Sequence, residues 1–163
     1  MAGISKDKTG RGLADAGKRR EAIFGAFDGT TSMIGLVFGL AVHDYAAAAI
    51  VIAGVSAATS ATVSMGAGEY ESSDGAVRRR LQLAGAMALA TAIGSVVPVV
   101  PFFLLRTDPA CAFGGAIALA VGLWIGHQKR VGWRGYASAV ATLFVAAAVS
   151  VGVAAAIPAS AGG

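Results

Sequence analysis

The chain has 163 residues, of which 56% are hydrophobic and 13% are charged, and its mean hydropathy is +0.70. Soluble domains carry about 25% charged residues, so the composition excludes an ordinary soluble protein and predicts an integral membrane protein. The net charge of +4 does not indicate nucleic-acid binding, because the basic residues form short clusters between apolar runs, a pattern typical of membrane topology.

The N-terminal segment, residues 1–20, is polar and basic. We expect its start to be partly disordered, its later part to continue as a surface helix, and its charge to favour an anionic leaflet. It resembles the start of a signal peptide, but the apolar run that follows exceeds the usual length of about 7 to 15 residues. The sequence therefore predicts an uncleaved first span, with residues 21–163 forming a single five-helix transmembrane domain.

Five segments have about the 20 mainly apolar residues that a helix needs to cross roughly 30 Å of hydrocarbon. Their loops are short, so the predicted fold class is an all-α integral membrane protein with five transmembrane helices. The predicted spans are Ala22 to Val42, Ala46 to Gly68, Leu81 to Leu105, Pro109 to Gly126 and Ala137 to Ile157.

The distribution of Lys and Arg predicts the orientation, because positive residues near span ends remain on the cytoplasmic side. One side of the membrane receives twelve of them and the other side receives Arg106 alone. We therefore expect a multi-pass protein of the cytoplasmic membrane with its N-terminus inside and its C-terminus outside. The twelve are Lys6, Lys8, Arg11, Lys18, Arg19, Arg20, Arg78, Arg79, Arg80, Lys129, Arg130 and Arg134.

Asp28 is the only charged residue within the five predicted spans. An acid at that depth is costly in lipid and typically faces protein, a cavity or a transported ion. It lies about 9 Å from the start of span one at 1.5 Å per residue. Met65 and Glu69, near the end of span two, fall in the same half of the membrane, so the three residues are expected to share one ion pathway.

Small and polar residues recur at helical spacing around these three residues. In span one they include two GxxxG pairs, Gly25 with Gly29 and Gly35 with Gly39, which permit close helix packing and are equally consistent with packing alone. The matching stripe of span two consists of Thr62, Met65, Gly66, Glu69, Ser72 and Ser73.

Carboxylates beside a thioether favour a softer divalent ion such as Fe2+, with Mn2+ also compatible, over Ca2+ or Mg2+. Met33 would join the pathway only through a second copy or a turned helix, and methionines in apolar helices commonly fill the core. Glu71 and Asp74 would form a weak cytoplasmic entry site with Glu69, although such acids can also be plain interfacial charges.

The remaining chemical groups give no sign of an enzyme. Cys111 is expected to pack as a small hydrophobe, and His43 and His127 are expected to be interfacial residues and not ligands. No phosphate loop, dinucleotide fingerprint or zinc-spaced Cys and His pair occurs, and no permanently bound cofactor is expected. Pro98 and Pro101 are predicted to kink span three, either as a structural feature or as part of a gate.

Three motifs together resemble the vacuolar iron transporter family, which includes nodulin-21-like proteins. They are FDGTTSMIGLVFGL at 27–40, SATVSMGAGEYESS at 60–73 and GSVVPVVPFF at 94–103. The resemblance implies a five-helix homodimer that moves Fe2+, and often Mn2+, out of the cytosol in exchange for protons. It also implies that Asp28, Met65 and Glu69 belong to an ion pathway formed largely by spans one and two at the subunit interface.

Two departures from the family pattern bear on transport. The long acidic insert between spans two and three is replaced by about ten residues, Tyr70 to Arg80, and the usual span-two glutamate is replaced by Ala57 and Ala58. The leading hypothesis is a proton-driven exporter of Fe2+ or Mn2+. A non-transporting membrane scaffold that retains the family fold, or a transporter of another cargo, are the alternatives.

Overall fold

Five long helices form the molecule. A computed structural model describes residues 3–128 and 132–157, with side chains described from Asp15 onward. All five helices contain a segment long and apolar enough to span a membrane, and no strand occurs in the described ranges, so the predicted all-α, five-span fold class is confirmed. The helices are α1 (Gly3–Ala41), α2 (Ala47–Ser72), α3 (Val77–Val96), α4 (Thr107–Gln128) and α5 (Trp133–Ala156), and a 3-10 segment, Val97–Phe103, follows α3.

The first helix is longer than the predicted span. α1 has 39 residues, or about 58 Å at 1.5 Å per residue, and its apolar part is Asp15–Ala41. The backbone is helical from Gly3, where a partly disordered start was expected, and it continues without a break from the basic segment into the span. Lys129 and Arg130, two of the twelve basic residues from which the orientation is predicted, lie outside the described residues.

The most extensive helix contact joins α1 to α3 through glycines. A Cβ atom added at Gly25 would lie 2.6 Å from the Met87 carbonyl oxygen, and one added at Gly29 would lie 2.6 Å from the Thr91 carbonyl oxygen. From the other side, Gly94 of α3 faces the backbone of Ala26. Only glycine permits this approach, which brings the two backbones into contact.

Buried hydroxyl groups line the same α1–α3 contact. The Thr30 hydroxyl lies 2.8 Å from the Ala26 carbonyl oxygen and 3.1 Å from that of Gly94. The hydroxyls of Thr91 and Ser95 are fully buried and have no conventional hydrogen-bond partner, but they lie against Gly25 and Gly29.

The second glycine pair of α1 packs against a different helix. Gly35 contacts the Ser150 side chain, and Gly39 lies near Ala154, both on α5. The two GxxxG pairs therefore pack α1 against α3 and α5 within one chain. Neither pair packs against α2, so neither forms the close approach between spans one and two that the small-residue stripes suggested.

The paired prolines lie where the regular helix of span three ends. α3 gives way after Val96 to the 3-10 segment, which contains Pro98 and Pro101, both buried. Proline lacks the amide hydrogen that a regular helix requires, and this explains the change. Val99 of this segment packs against Gly54 of α2 and belongs to the buried core with Phe102.

α2 and α5 are the spans least covered by the rest of the protomer, but their exposed faces differ. α5 exposes large apolar side chains, including Phe144, Val145 and Val149, as expected of a lipid-facing surface. α2 exposes a mixture: the large apolar residues Ile52, Val55 and Val63 lie among small and hydroxyl-bearing residues, which include Ser56, Thr59, Ser60, Ser64 and Ala67.

Candidate functional site

A cavity of about 380 Å3 lies at the end of the bundle where α2 ends and α3 begins. Polar groups enter it from α1 and α2, while Met87 of α3 and Ile125 of α4 contribute apolar walls. We call it the α2–α3 end cavity. Its lining residues are Arg20, Glu21, Ile23, Phe24, Phe27, Glu69, Met87 and Ile125.

Two carboxyl groups from different helices meet in this cavity. Glu21 lies in the first third of the α1 span and Glu69 lies in the last turn of α2. Both line the cavity, and they are close enough for their charges to interact. The Ser73 hydroxyl donates a hydrogen bond to the Glu69 carboxylate. Since like charges at this range repel, a proton or a cation between the two carboxyl groups would stabilise the pair.

Asp28 lies on the outward side of α1. It is half-buried, and its neighbours one turn away on the same face, Phe24 and Ser32, are exposed. The glycines next to it in the helix face inward, because Gly25 and Gly29 pack against α3. The protomer alone therefore leaves the Asp28 side of α1 partly open at membrane depth, where an acid facing lipid is costly.

The two helices place the predicted pathway residues at successive depths. Glu69 lies at the depth of the cavity. Met65, which is half-buried, lies one helical turn, or about 6 Å, further into the span. On α1, Asp28 lies seven residues beyond Glu21, or about 10 Å deeper. The backbone thus orders Glu21 with Glu69 first, then Met65, and then Asp28.

Met33 does not lie with these residues. It is 2% exposed and packs in the core cluster with Val37, Ile50 and Val99, and its sulfur lies near Gly54 of α2. This burial leaves the thioether without a surface that a second copy could reach. The methionine that does line the cavity is Met87.

The two acids expected at a cytoplasmic entry lie outside the cavity lining. Glu71 is exposed and has its carboxylate 3.8 Å from the guanidinium of Arg80. Asp74 is also exposed, and its backbone carbonyl accepts a hydrogen bond from Arg79. Of the three predicted entry acids, the structure brings only Glu69 to the cavity.

The histidines and the cysteine have structural surroundings. His43 Nε2 is 2.7 Å from the Ala154 carbonyl oxygen, and His127 Nδ1 is 2.7 Å from the Tyr136 hydroxyl. Cys111 is a half-buried free thiol that packs against the core cluster. Within the described ranges, no group of three His, Cys, Asp or Glu side chains converges to hold a metal ion.

Comparison with known proteins gives a family for the first two spans. Residues 19–76 match the model of the VIT family. The match covers 58 of the 163 residues, so the likeness to this family is shown over the first two spans. The VIT family is one of metal-ion transporters, and the matched range contains Glu21, Asp28, Met65 and Glu69. A comparison with curated proteins found no match.

The VIT match also contains the residue that sequence reasoning missed. Glu21 immediately precedes the predicted start of span one, so it was treated as a span end. Its spacing was the available signal: Glu21 and Asp28 are seven residues apart, which places them two turns apart on nearly the same face of a helix. Met87 carried no such signal, because nothing in the α3 sequence distinguishes it from a core methionine.

Proposed function

We propose that this chain exports a divalent metal ion, Fe2+ or Mn2+, from the cytosol in exchange for protons, as a homodimer in the cytoplasmic membrane. The α2–α3 end cavity would face the cytoplasm, in keeping with the Lys and Arg distribution. Glu21 and Glu69 would receive the ion, Met65 would favour a softer divalent ion, and Asp28 would carry it further into the membrane.

The observation that carries this proposal is the outward position of Asp28. A structural acid would be enclosed and paired within the protomer, whereas Asp28 is half-buried beside the exposed Phe24 and Ser32. An acid at this depth is expected to face protein, water or an ion and not lipid. A pathway shared with another protomer would meet this requirement.

The exposed face of α2 supports a second copy as that covering partner. Ser56, Ser60 and Ser64 recur every four residues and are exposed, so they form a hydroxyl-bearing stripe on a face that also exposes Val63. Hydroxyls and small residues are poorly suited to lipid and well suited to helix packing or to a polar passage. A homodimer joined through α1 and α2 would place both copies of Asp28 and Met65 beside the same passage.

The carboxyl groups give the proposed exchange a simple chemistry. Glu21 and Glu69 line the same cavity, so a divalent cation and a proton would compete for their carboxylate oxygens. Protons arriving from the far side would displace the metal from Asp28, and metal arriving from the cytosol would displace protons at the cavity. One carboxylate ligand set would thereby couple the two fluxes.

The test is Fe2+ uptake by vesicles in the inside-out orientation under anaerobic conditions, measured by quenching of an enclosed dye. An acidic vesicle interior should drive uptake by the unaltered protein, and collapse of the pH gradient should abolish it. Asp28→Ala and Met65→Ala should each lose most of the uptake while the dimer stays intact. Asp108→Asn is the matched control, because Asp108 is an exposed acid in the first turn of α4.

Undiminished Fe2+ uptake by Asp28→Ala would refute the assigned pathway. Fe2+ uptake that does not depend on the pH gradient would refute proton exchange but would still support metal transport. Repeating the assay with Mn2+, Zn2+ and Ca2+ distinguishes the cargo. The alternative of a non-transporting scaffold predicts no flux of any of these ions and no metal-dependent change in thermal stability.

A further inference from the structure

Arg80 connects the two helices on either side of the turn between α2 and α3. Its Nε donates a hydrogen bond to the Tyr70 carbonyl oxygen at 2.8 Å, and its guanidinium lies over the Tyr70 ring, 4.1 Å from the ring centroid. The same guanidinium approaches the Glu71 carboxylate at 3.8 Å. Arg80 thus connects the start of α3 to two consecutive residues in the last turn of α2.

These contacts stabilise the end of a helix that would otherwise leave carbonyl groups unpaired. The last four carbonyls of a helix lack partners within it, and Tyr70 is among the last four residues of α2. A cation at a helix C-terminus also interacts favourably with the helix dipole. Arg80 therefore supplies both a hydrogen-bond donor and a charge where α2 ends.

Glu69 immediately precedes Tyr70 and depends on the same turn. Its backbone carbonyl accepts a hydrogen bond from the Ser73 amide at 3.0 Å, and its carboxylate accepts one from the Ser73 hydroxyl. Fixing Tyr70 through Arg80 restricts the peptide next to Glu69, while Ser73 restricts the carboxylate itself. The carboxylate is thereby directed to the cavity and to Glu21.

We propose that Arg80 is a positioning residue that caps α2 and, together with Ser73, fixes the Glu69 carboxylate in the α2–α3 end cavity for ion capture. This inference rests on the proposed transport function for its effect on ion capture, but the cap itself can be measured independently. Lysine cannot replace arginine in this role. It lacks the planar guanidinium that donates a hydrogen bond to the Tyr70 carbonyl oxygen and at the same time stacks on the Tyr70 ring.

The experiment compares Arg80→Lys with Arg78→Lys. Both variants keep the charge, but Arg78 is exposed and has no recorded polar contact in the described part of the chain. Arg80→Lys should raise the KM for Fe2+ in the vesicle assay about tenfold, the effect expected for loss of one charge-assisted hydrogen bond, with maximal uptake within about twofold. Arg78→Lys should leave both quantities unchanged.

A second measurement reports the cap without transport. Hydrogen exchange of the Ser73 amide should become about tenfold faster in Arg80→Lys and remain unchanged in Arg78→Lys. Ser73→Ala, which removes the hydroxyl donor and retains the amide, should raise the KM without altering the contacts of Arg80. Matching shifts in KM for Arg80→Lys and Ser73→Ala would support positioning through Glu69.

The outcomes separate this inference from the proposed function. If the unaltered protein carries Fe2+ and Arg80→Lys keeps its KM, the positioning role is overturned while transport stands, even if Ser73 exchange becomes faster. If the unaltered protein carries no ion, the proposed function is overturned, and so is the proposed effect of Arg80 on ion capture. In that case unchanged Ser73 exchange in Arg80→Lys would overturn the cap as well, whereas faster exchange would support the cap alone.

Discussion

Replacing Gly29 with alanine should separate α1 from α3. The added Cβ would lie 2.6 Å from the Thr91 carbonyl oxygen and 3.0 Å from the Ser95 amide nitrogen, whereas ordinary contact begins at 3.4 Å. Both atoms belong to the α3 backbone, so no rotation of a side chain relieves the contact, and the helices must move apart by about 0.8 Å. Overpacking of this kind costs about 1 to 3 kcal/mol, while alanine in place of a helical glycine recovers about 0.5 to 1 kcal/mol. We expect a net loss of up to about 2.5 kcal/mol.

The control for Gly29→Ala is Gly85→Ala on α3, because a Cβ at Gly85 would meet nothing within 4 Å. Gly85→Ala should therefore be stabilised by the higher helix propensity of alanine, with no opposing steric cost. Thermal unfolding of the purified protein in detergent, followed by tryptophan fluorescence, measures both variants. A melting temperature for Gly29→Ala equal to or above that of Gly85→Ala would show that the α1–α3 contact is looser than its geometry indicates.

Three further substitutions test the separation of core from pathway. Met33→Leu nearly conserves the volume of a core side chain, so it should lower the free energy of unfolding by less than about 1.5 kcal/mol. It should also leave Fe2+ uptake within about twofold of the unaltered protein. An equally large loss of uptake in Met33→Leu and Met65→Leu would contradict the core placement of Met33. Glu21→Gln should raise the KM for Fe2+ in the vesicle assay, because the cavity loses one of its two carboxylates; an unchanged KM would remove Glu21 from the site. Thr30→Val removes a buried hydroxyl and should lower the melting temperature by the equivalent of about 1 kcal/mol, and a variant as stable as the unaltered protein would show that this hydroxyl contributes nothing to the contact.

The sequence predicted the helices well because their signal is strong and local. Long apolar runs separated by short polar loops leave few other structures in a membrane, and the five predicted spans differ from the observed ones only at their ends. The partners of the glycine pairs were not predictable in the same way. A GxxxG pair indicates that another helix packs closely against it. Which helix does so, α3 at Gly25 and α5 at Gly35, depends on the packing of the whole bundle.

The candidate site was predicted less completely than the fold. Asp28 was identified because a charge within a span requires an explanation, and Glu69 was identified from its depth and spacing. Glu21 was missed because a carboxylate at a span end requires no such explanation. Its spacing from Asp28 indicated a shared helix face, but its place beside Glu69 in the cavity is tertiary, and no spacing within one helix specifies the residue that a second helix brings beside it. Met33 illustrates the opposite case, since a thioether within a span was considered as a ligand although the fold buries it in the core.

The glycine contact of α1 also explains why Asp28 is left partly open. Successive residues of a helix are about 100° apart, so burying Gly25 and Gly29 against α3 directs the residues between them toward the flanks and the outer side. Asp28 therefore lies at the edge of the contact, and Phe24 lies beyond it on the exposed side. An outward carboxylate at this depth needs a polar environment from outside the protomer, and α2 exposes hydroxyl groups but no further acid in its central part. The same packing that stabilises α1 in one chain thus leaves an incomplete polar site, which a second copy of α1 and α2 would complete in the proposed homodimer.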